Sequence, residues 1–278
     1  MNYRPPGISF WDSWFCHHEG ITHCIFCQQM NPEELPSGVL GGEFARERGA
    51  LGHAISKDLV KWDTLPTALY PGTPGSYDDY DLWNGNLVWH NGNYYLFYTS
   101  RSSAEKGTIN RISLATSEDA LQWKRHPENP ISTPDSRWYH GEDNPRRFTR
   151  QLWPKVDWRD ICVVPDVEGS GFWGFVAARR PAKEIASTSV IALCHSEDLI
   201  HWEQYAPCFV PDGYACIEVP EVFFLDGKWY LLCLTGNLYG QHNRSSDNNF
   251  GGTTTIYAVA DKPQGPYKEV PHTNRCTI

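Results

Sequence analysis

Basic residues are scarce in this chain: 24 lysines and arginines stand against 33 aspartates and glutamates, a formal net charge of -9. A surface of that sign argues against nucleic acid or an anionic membrane as partner and is compatible with a neutral one such as a sugar. Long apolar runs are missing as well. No stretch approaches a membrane span, and Met1 to Ser9 holds no apolar leader core, so a soluble, cytoplasmic protein is expected. There is no Gly-x-Ser-x-Gly elbow, which argues against an α/β hydrolase. Nine cysteines cannot all pair within one chain, so reduced thiols are expected. Cys24 and Cys27, beside Cys16, His17, His18 and His23, have a metal-ligand spacing, but a second Cys/His pair at matching spacing is lacking. Ile21 to Gln28 reads as a strand that points Cys24 and Cys27 to opposite sides. No metal site and no cofactor are therefore expected.

What the chain does have is enough apolar material for a core, 40% hydrophobic with 14% aromatic residues, and a phrase that recurs. An apolar run leads to Ser-x-Asp, three residues, then Trp. It occurs at Ser56-Lys57-Asp58 with Trp62, Ser117-Glu118-Asp119 with Trp123, and Ser196-Glu197-Asp198 with Trp202. A looser copy runs from Tyr257 to Asp261 and ends in Gly265-Pro266-Tyr267. The irregular intervals exclude a short-period solenoid and suit one β-sheet per repeat. Ser and Asp of the phrase are expected to cap a turn, and the Trp to pack between neighbouring sheets.

A second element is shared by the repeats: a Gly-x-aromatic turn into a hydrophobic strand, at Gly92-Asn93-Tyr94, Gly171-Phe172-Trp173 and Gly227-Lys228-Trp229. Asn91-Gly92 between hydrophobic runs is a strong hairpin signal. Each unit thus reads as a four-stranded antiparallel blade, and blades of that kind pack radially as an all-β propeller. The expected units are residues 8–70, 80–130, 157–207 and 214–270, within a single propeller domain over residues 1–278.

Three carboxylates open these units outside the recurring phrases, where a propeller's first strands point into its funnel: Asp12, Asp160 and Glu218. A carboxylate among aromatic and β-branched residues costs free energy unless it is paired or used. Trp11, Trp83, Asn84 and His53 are further candidates for substrate contact, with His242 as a second rim histidine.

The stretch Gly52-His53-Ala54-Ile55-Ser56-Lys57-Asp58-Leu59-Val60-Lys61-Trp62 resembles the phrase that closes the first blade of glycoside hydrolase family 32, the invertases, levanases and inulinases. Arg159-Asp160 resembles that family's Arg-Asp-Pro motif, with Ile161 in place of Pro. Glu218-Val219-Pro220-Glu221 resembles its Glu-Cys-Pro-Asp motif. Of the family's opening Asn-Asp-Pro-Asn-Gly only Asp12 is kept, within Trp11-Asp12-Ser13-Trp14.

The resemblance implies a five-bladed furanosidase propeller, of which four units are recognisable here. The fifth is absent or incomplete, and the family's C-terminal β-sandwich is lacking. It also implies a retaining reaction on β-fructosides, with Asp12 as nucleophile and Glu218 as general acid/base. Asp160 and Arg159 would hold sugar hydroxyls and stabilise the transition state. Such chemistry needs one carboxylate beneath the anomeric carbon and one carboxyl beside the leaving oxygen. An inverting arabinofuranosidase or xylosidase of the family 43 type has the same three-acid layout, and a non-catalytic sugar-binding propeller is the alternative of another class.

Overall fold

The computed structural model describes residues 3–5, 7–29, 49–142, 156–181, 188–211, 214, 216–235 and 254–270. Among them are sixteen strands and no helix. Contacts divide the chain into two compact units, Met1–Ile131 and Ser132–Ile278.

In the first unit, β1 (Phe10–His18), β2 (Ile21–Gln29), β3 (Gly49–Ser56) and β4 (Asp63–Leu69) form one antiparallel meander. A second is built from β5 (Asp81–His90), β6 (Asn93–Arg101), β7 (Arg111–Ser117) and β8 (Lys124–Arg125). The second unit repeats the plan with β9 (Trp158–Pro165), β10 (Phe172–Arg179), β11 (Ser189–Ser196) and β12 (Glu203–Phe209). Its other sheet holds β13 (Glu218–Leu225), β14 (Lys228–Thr235), β15 (Thr254–Ala260) and β16 (Lys268–Glu269). These four sheets are the four expected blade units.

Local chemistry explains the order. Glu19-Gly20, Asn91-Gly92 and Asp226-Gly227 are two-residue loops with positive φ at both positions, the turn whose twist matches the flanking strands. Prolines within strands (Pro66, Pro165, Pro207 and Pro220) fall only on the first or last strand of a sheet, where a missing N–H donor removes no ladder bond from the interior. Middle strands of the first three sheets are largely buried on both faces, as in β2, where Cys24 packs with Phe26 and Ala54 while Cys27 packs with Trp14 and Leu51 on the other side. Cys24 and Cys27 therefore cannot ligate one ion together. Eight cysteines lie among the described residues, all free, and only Cys16 is not fully buried.

The recurring phrase builds the same turn three times. Ser56 Oγ accepts the Leu59 N–H at 2.8 Å, and Asp58 Oδ1 accepts those of Val60 and Lys61 at 2.9 and 2.7 Å. Asp119 and Asp198 do likewise for the amides two and three residues on. The residue after each Asp is left-handed: Leu59, Ala120 and Leu199 have φ of 60, 58 and 68°. Trp123 packs as expected, against the core shared by the two sheets of its unit, but the other two Trp depart from expectation. Trp62 packs against Phe26 and Ala54 of its own sheet, and Trp202 fills the space over Gly174 of its own sheet. Glycine at 174 leaves the indole room that a side chain would take.

Apolar faces of paired sheets form the cores. Trp14, Ile25 and Leu51 meet Leu82, Leu96 and Tyr98 in the first unit; Phe175, Ile191 and Phe209 meet Leu231, Cys233 and Ile256 in the second. Trp14 is 2% exposed, and truncating a core Trp to Ala costs about 3–5 kcal/mol. Within each unit the first strands of the two sheets touch, β1 with β5 and β9 with β13. That contact positions the candidate site.

Candidate active site

Every first strand is irregular near its start. The register shifts between Trp11 and Ser13 in β1, leaving Asp12 outside the ladder, and between Trp83 and Gly85 in β5, leaving Asn84 outside. In β9, Asp160 and Ile161 together face one residue of β10; in β13, Val219 and Pro220 do the same against β14. Asp12, Asp160 and Val219 have φ of 33, 58 and 51°. A left-handed bulge turns a side chain off the pleat, and a β-branched residue adopts it only at a cost of about 1–3 kcal/mol. Two of the three expected carboxylates thus sit on the bulged residue itself, and Glu218 immediately precedes one.

In the second unit the bulges of β9 and β13 are tied together. Arg159, 3% exposed, donates from Nη2 to Glu218 Oε2 at 2.9 Å and lies with Nε 3.1 Å from Asp160 Oδ2. The Val219 N–H donates to the same Asp160 oxygen at 3.2 Å. The third nitrogen, Nη1, faces Asp157, whose other oxygen is 2.9 Å from Arg179 Nε. Burial alone would weaken the Arg159 charge, but Asp160 and Glu218 outweigh it and hold the guanidinium protonated. Glu221 retains solvent access, yet desolvation by the surrounding protein pushes its carboxyl up to about 7.

In the first unit the bulged Asp12 is half-buried beside Trp11, which is 38% exposed. Trp11 and Trp83 flank Gly49, where a Cβ would stand 3.4 and 3.7 Å from their rings and only 2.7 Å from the Leu82 carbonyl oxygen. One face of Trp83 carries the Arg101 guanidinium at 3.8 Å, itself fixed by Asp81 at 3.0 Å. Asn84 is buried, and its side-chain oxygen accepts the Gly85 N–H at 2.7 Å, bracing the bulge. His53 lies inside the sheet rather than on a rim: it is 1% exposed and 3.0 Å from His23 Nδ1. Burial and His23 lower its pKa to about 3. His242 lies outside the described residues.

Residues 47–268 match the model of the glycosyl hydrolase family 32 N-terminal domain. The chain belongs to glycoside hydrolase family 32. Among curated relatives, it is 28% identical over 211 residues to a fructan 6-exohydrolase of Triticum aestivum, covering 74% of this chain and 31% of that protein. It is 28% identical over 189 residues to a sucrose-6-phosphate hydrolase of Escherichia coli, covering 65% and 34%. The chain thus spans about a third of the length of the curated relatives it matches. Of solved structures, an inulosucrase from Halalkalicoccus jeotgali bound to kestose superposes with a TM-score of 0.72 at 18% identity, covering 96% of this chain and 68% of that one. A Bombyx mori family 32 β-fructofuranosidase in complex with sucrose gives 0.65 at 20%, covering 94% and 50%. The expected all-β propeller class is therefore the fold of this family 32 chain, with four four-stranded sheets among the described residues.

Arg159, Asp160 and Glu218 fall inside the family 32 match; Asp12 and Trp11 precede it. Sequence reasoning missed Asp157 as a partner of Arg159 and Arg179 as the partner of Asp157 in turn. An arginine in each of two strands otherwise buried on both faces, with Asp157 just before the first, was the available signal.

Proposed function

We propose that this chain carries out glycoside hydrolysis on β-fructosides by a retaining double displacement. Glu218 serves as general acid and then base, Asp12 as nucleophile, and Asp160 with Arg159 as the pair that holds sugar hydroxyls. The observation that carries the reading is the buried Arg159 bridging Asp160 and Glu218 at 3.1 and 2.9 Å across two bulged strands. These are the residues that match two family motifs, and an arginine between two carboxylates fixes both in place. The relatives named for fructan and sucrose-phosphate hydrolysis support the substrate class. Trp11 and Trp83 offer aromatic surface beside Asp12 for a sugar ring.

Incubation with sucrose, inulin, levan and an aryl arabinofuranoside, with product anomers read by NMR, tests the proposal. Retained β-configuration at the released fructose is expected. Inversion on the arabinofuranoside would move the chain to family-43-like chemistry. Sugar binding with no turnover of any substrate would leave a binding propeller.

A further inference from the structure

The motif reading leaves Asp157 and Arg179 without a task, although both are 3% exposed. Ala177 of β10 pairs with Arg159 of β9, so the end of β10 brings Arg179 up behind the Arg159 guanidinium. Arg179 also donates from Nη1 to Thr188 Oγ1 at 2.9 Å, and its carbonyl accepts the His140 N–H at 2.7 Å. A buried ion pair adds little net stability, because desolvation offsets its attraction. Its field nevertheless acts strongly on charged neighbours where water is excluded.

Arg159 divides one positive charge among Asp157, Asp160 and Glu218. We infer that the Asp157–Arg179 pair positions Arg159 and sets how strongly that guanidinium draws on Glu218. Asp157 and Arg179 are thus positioning residues for the proton donor. This rests on the reading of Glu218 as acid/base. Among the described residues, Asp160 accepts the N–H of Val219 next to Glu218, Cys216 Sγ lies 3.4 Å from Arg159 Nη2, and Glu221 lies on the same strand as Glu218 with Cys162 of β9 beside it. None of these is changed by the variants below.

The signs are opposite for the two partners. Asp157→Asn removes a negative charge that competes for Arg159, so the basic limb of the kcat/KM profile moves to lower pH. Arg179→Gln removes a positive charge and leaves Asp157 to pull on Arg159 alone, so the limb moves to higher pH. Each shift is expected at about half to one pH unit. Arg179→Lys, which keeps the charge, stays near wild type.

Thermal melts establish that each variant folds. If Asp157→Asn does not, the Arg179→Gln and Arg179→Lys pair carries the test. The same titration is read without turnover from carbon-13 NMR of glutamate-labelled protein, with the Glu218 carboxyl assigned by its loss in Glu218→Gln. Opposed shifts support the inference. Unchanged limbs, or shifts in one direction for both charge removals, overturn it. If Glu218→Gln instead hydrolyses fructosides at the wild-type rate, the acid/base role falls while the NMR shifts still judge the electrostatic coupling.

Discussion

The three Ser-x-Asp turns and the four first-strand bulges are both departures from regular strand, yet they behave oppositely. The turns are copies: each Asp Oδ1 accepts the amides two and three residues on, and the same position is left-handed each time. The bulges share only their place in the sheet. One carries Asp12, one Asn84, one Asp160, and one Val219 beside Glu218. Repetition marks what each sheet needs to close its outer strand. Divergence at a shared location marks where the sheets have been given different tasks.

The largest effect that sharpens this contrast is on turnover. Glu218→Gln and Asp12→Asn are each expected to lower kcat on an aryl fructofuranoside by about 10²- to 10⁴-fold, whereas Asp58→Asn leaves it unchanged. A folded Asp58→Asn protein without activity would break the division.

Next comes the interior of the first sheet, which joins a bulge to a turn. Folded His53 resists protonation down to about pH 3, while an unfolded histidine titrates near 6.5. Stability is therefore full above pH 6.5 and is lost as pH falls towards 3, by roughly 4 kcal/mol over the whole window. Urea melts across that range read the slope, and His53→Gln should flatten it.

Glycine at a left-handed position separates the two regions directly. Val219→Gly relieves the backbone but loosens the tie to Asp160, and kcat/KM should fall about tenfold. Ser196→Ala removes the oxygen that accepts the Leu199 N–H and should cost about 1 kcal/mol in denaturant melts with kcat unchanged. Leu59→Gly, at an exposed turn, should raise stability by about 0.5 kcal/mol with no change in rate.

Much of this was legible in the residues because it is local. Asn91-Gly92 and the Ser-x-Asp phrases specify their turns within a few positions, and Arg159-Asp160 and Glu218 stood in motifs. The bulges were not legible: a left-handed Asp or Val has no local signature, since tertiary contacts and not propensity impose it. Nor was the placement of His53, which is decided by His23 on the neighbouring strand. The Asp157–Arg179 pair needed the register of β9 against β10, and Trp202 needed the empty space over Gly174.

The buried thiols give the protein a built-in clock. Burial pushes the Cys24 thiol up to about 12 and raises those of Cys162, Cys194, Cys208 and Cys233, so alkylating reagents reach them only when their strands open. Among the described residues such reporters lie in or beside three sheets, and the β5–β8 sheet has none. Peptide mapping of alkylation over time would therefore rank those three sheets by how often each comes apart.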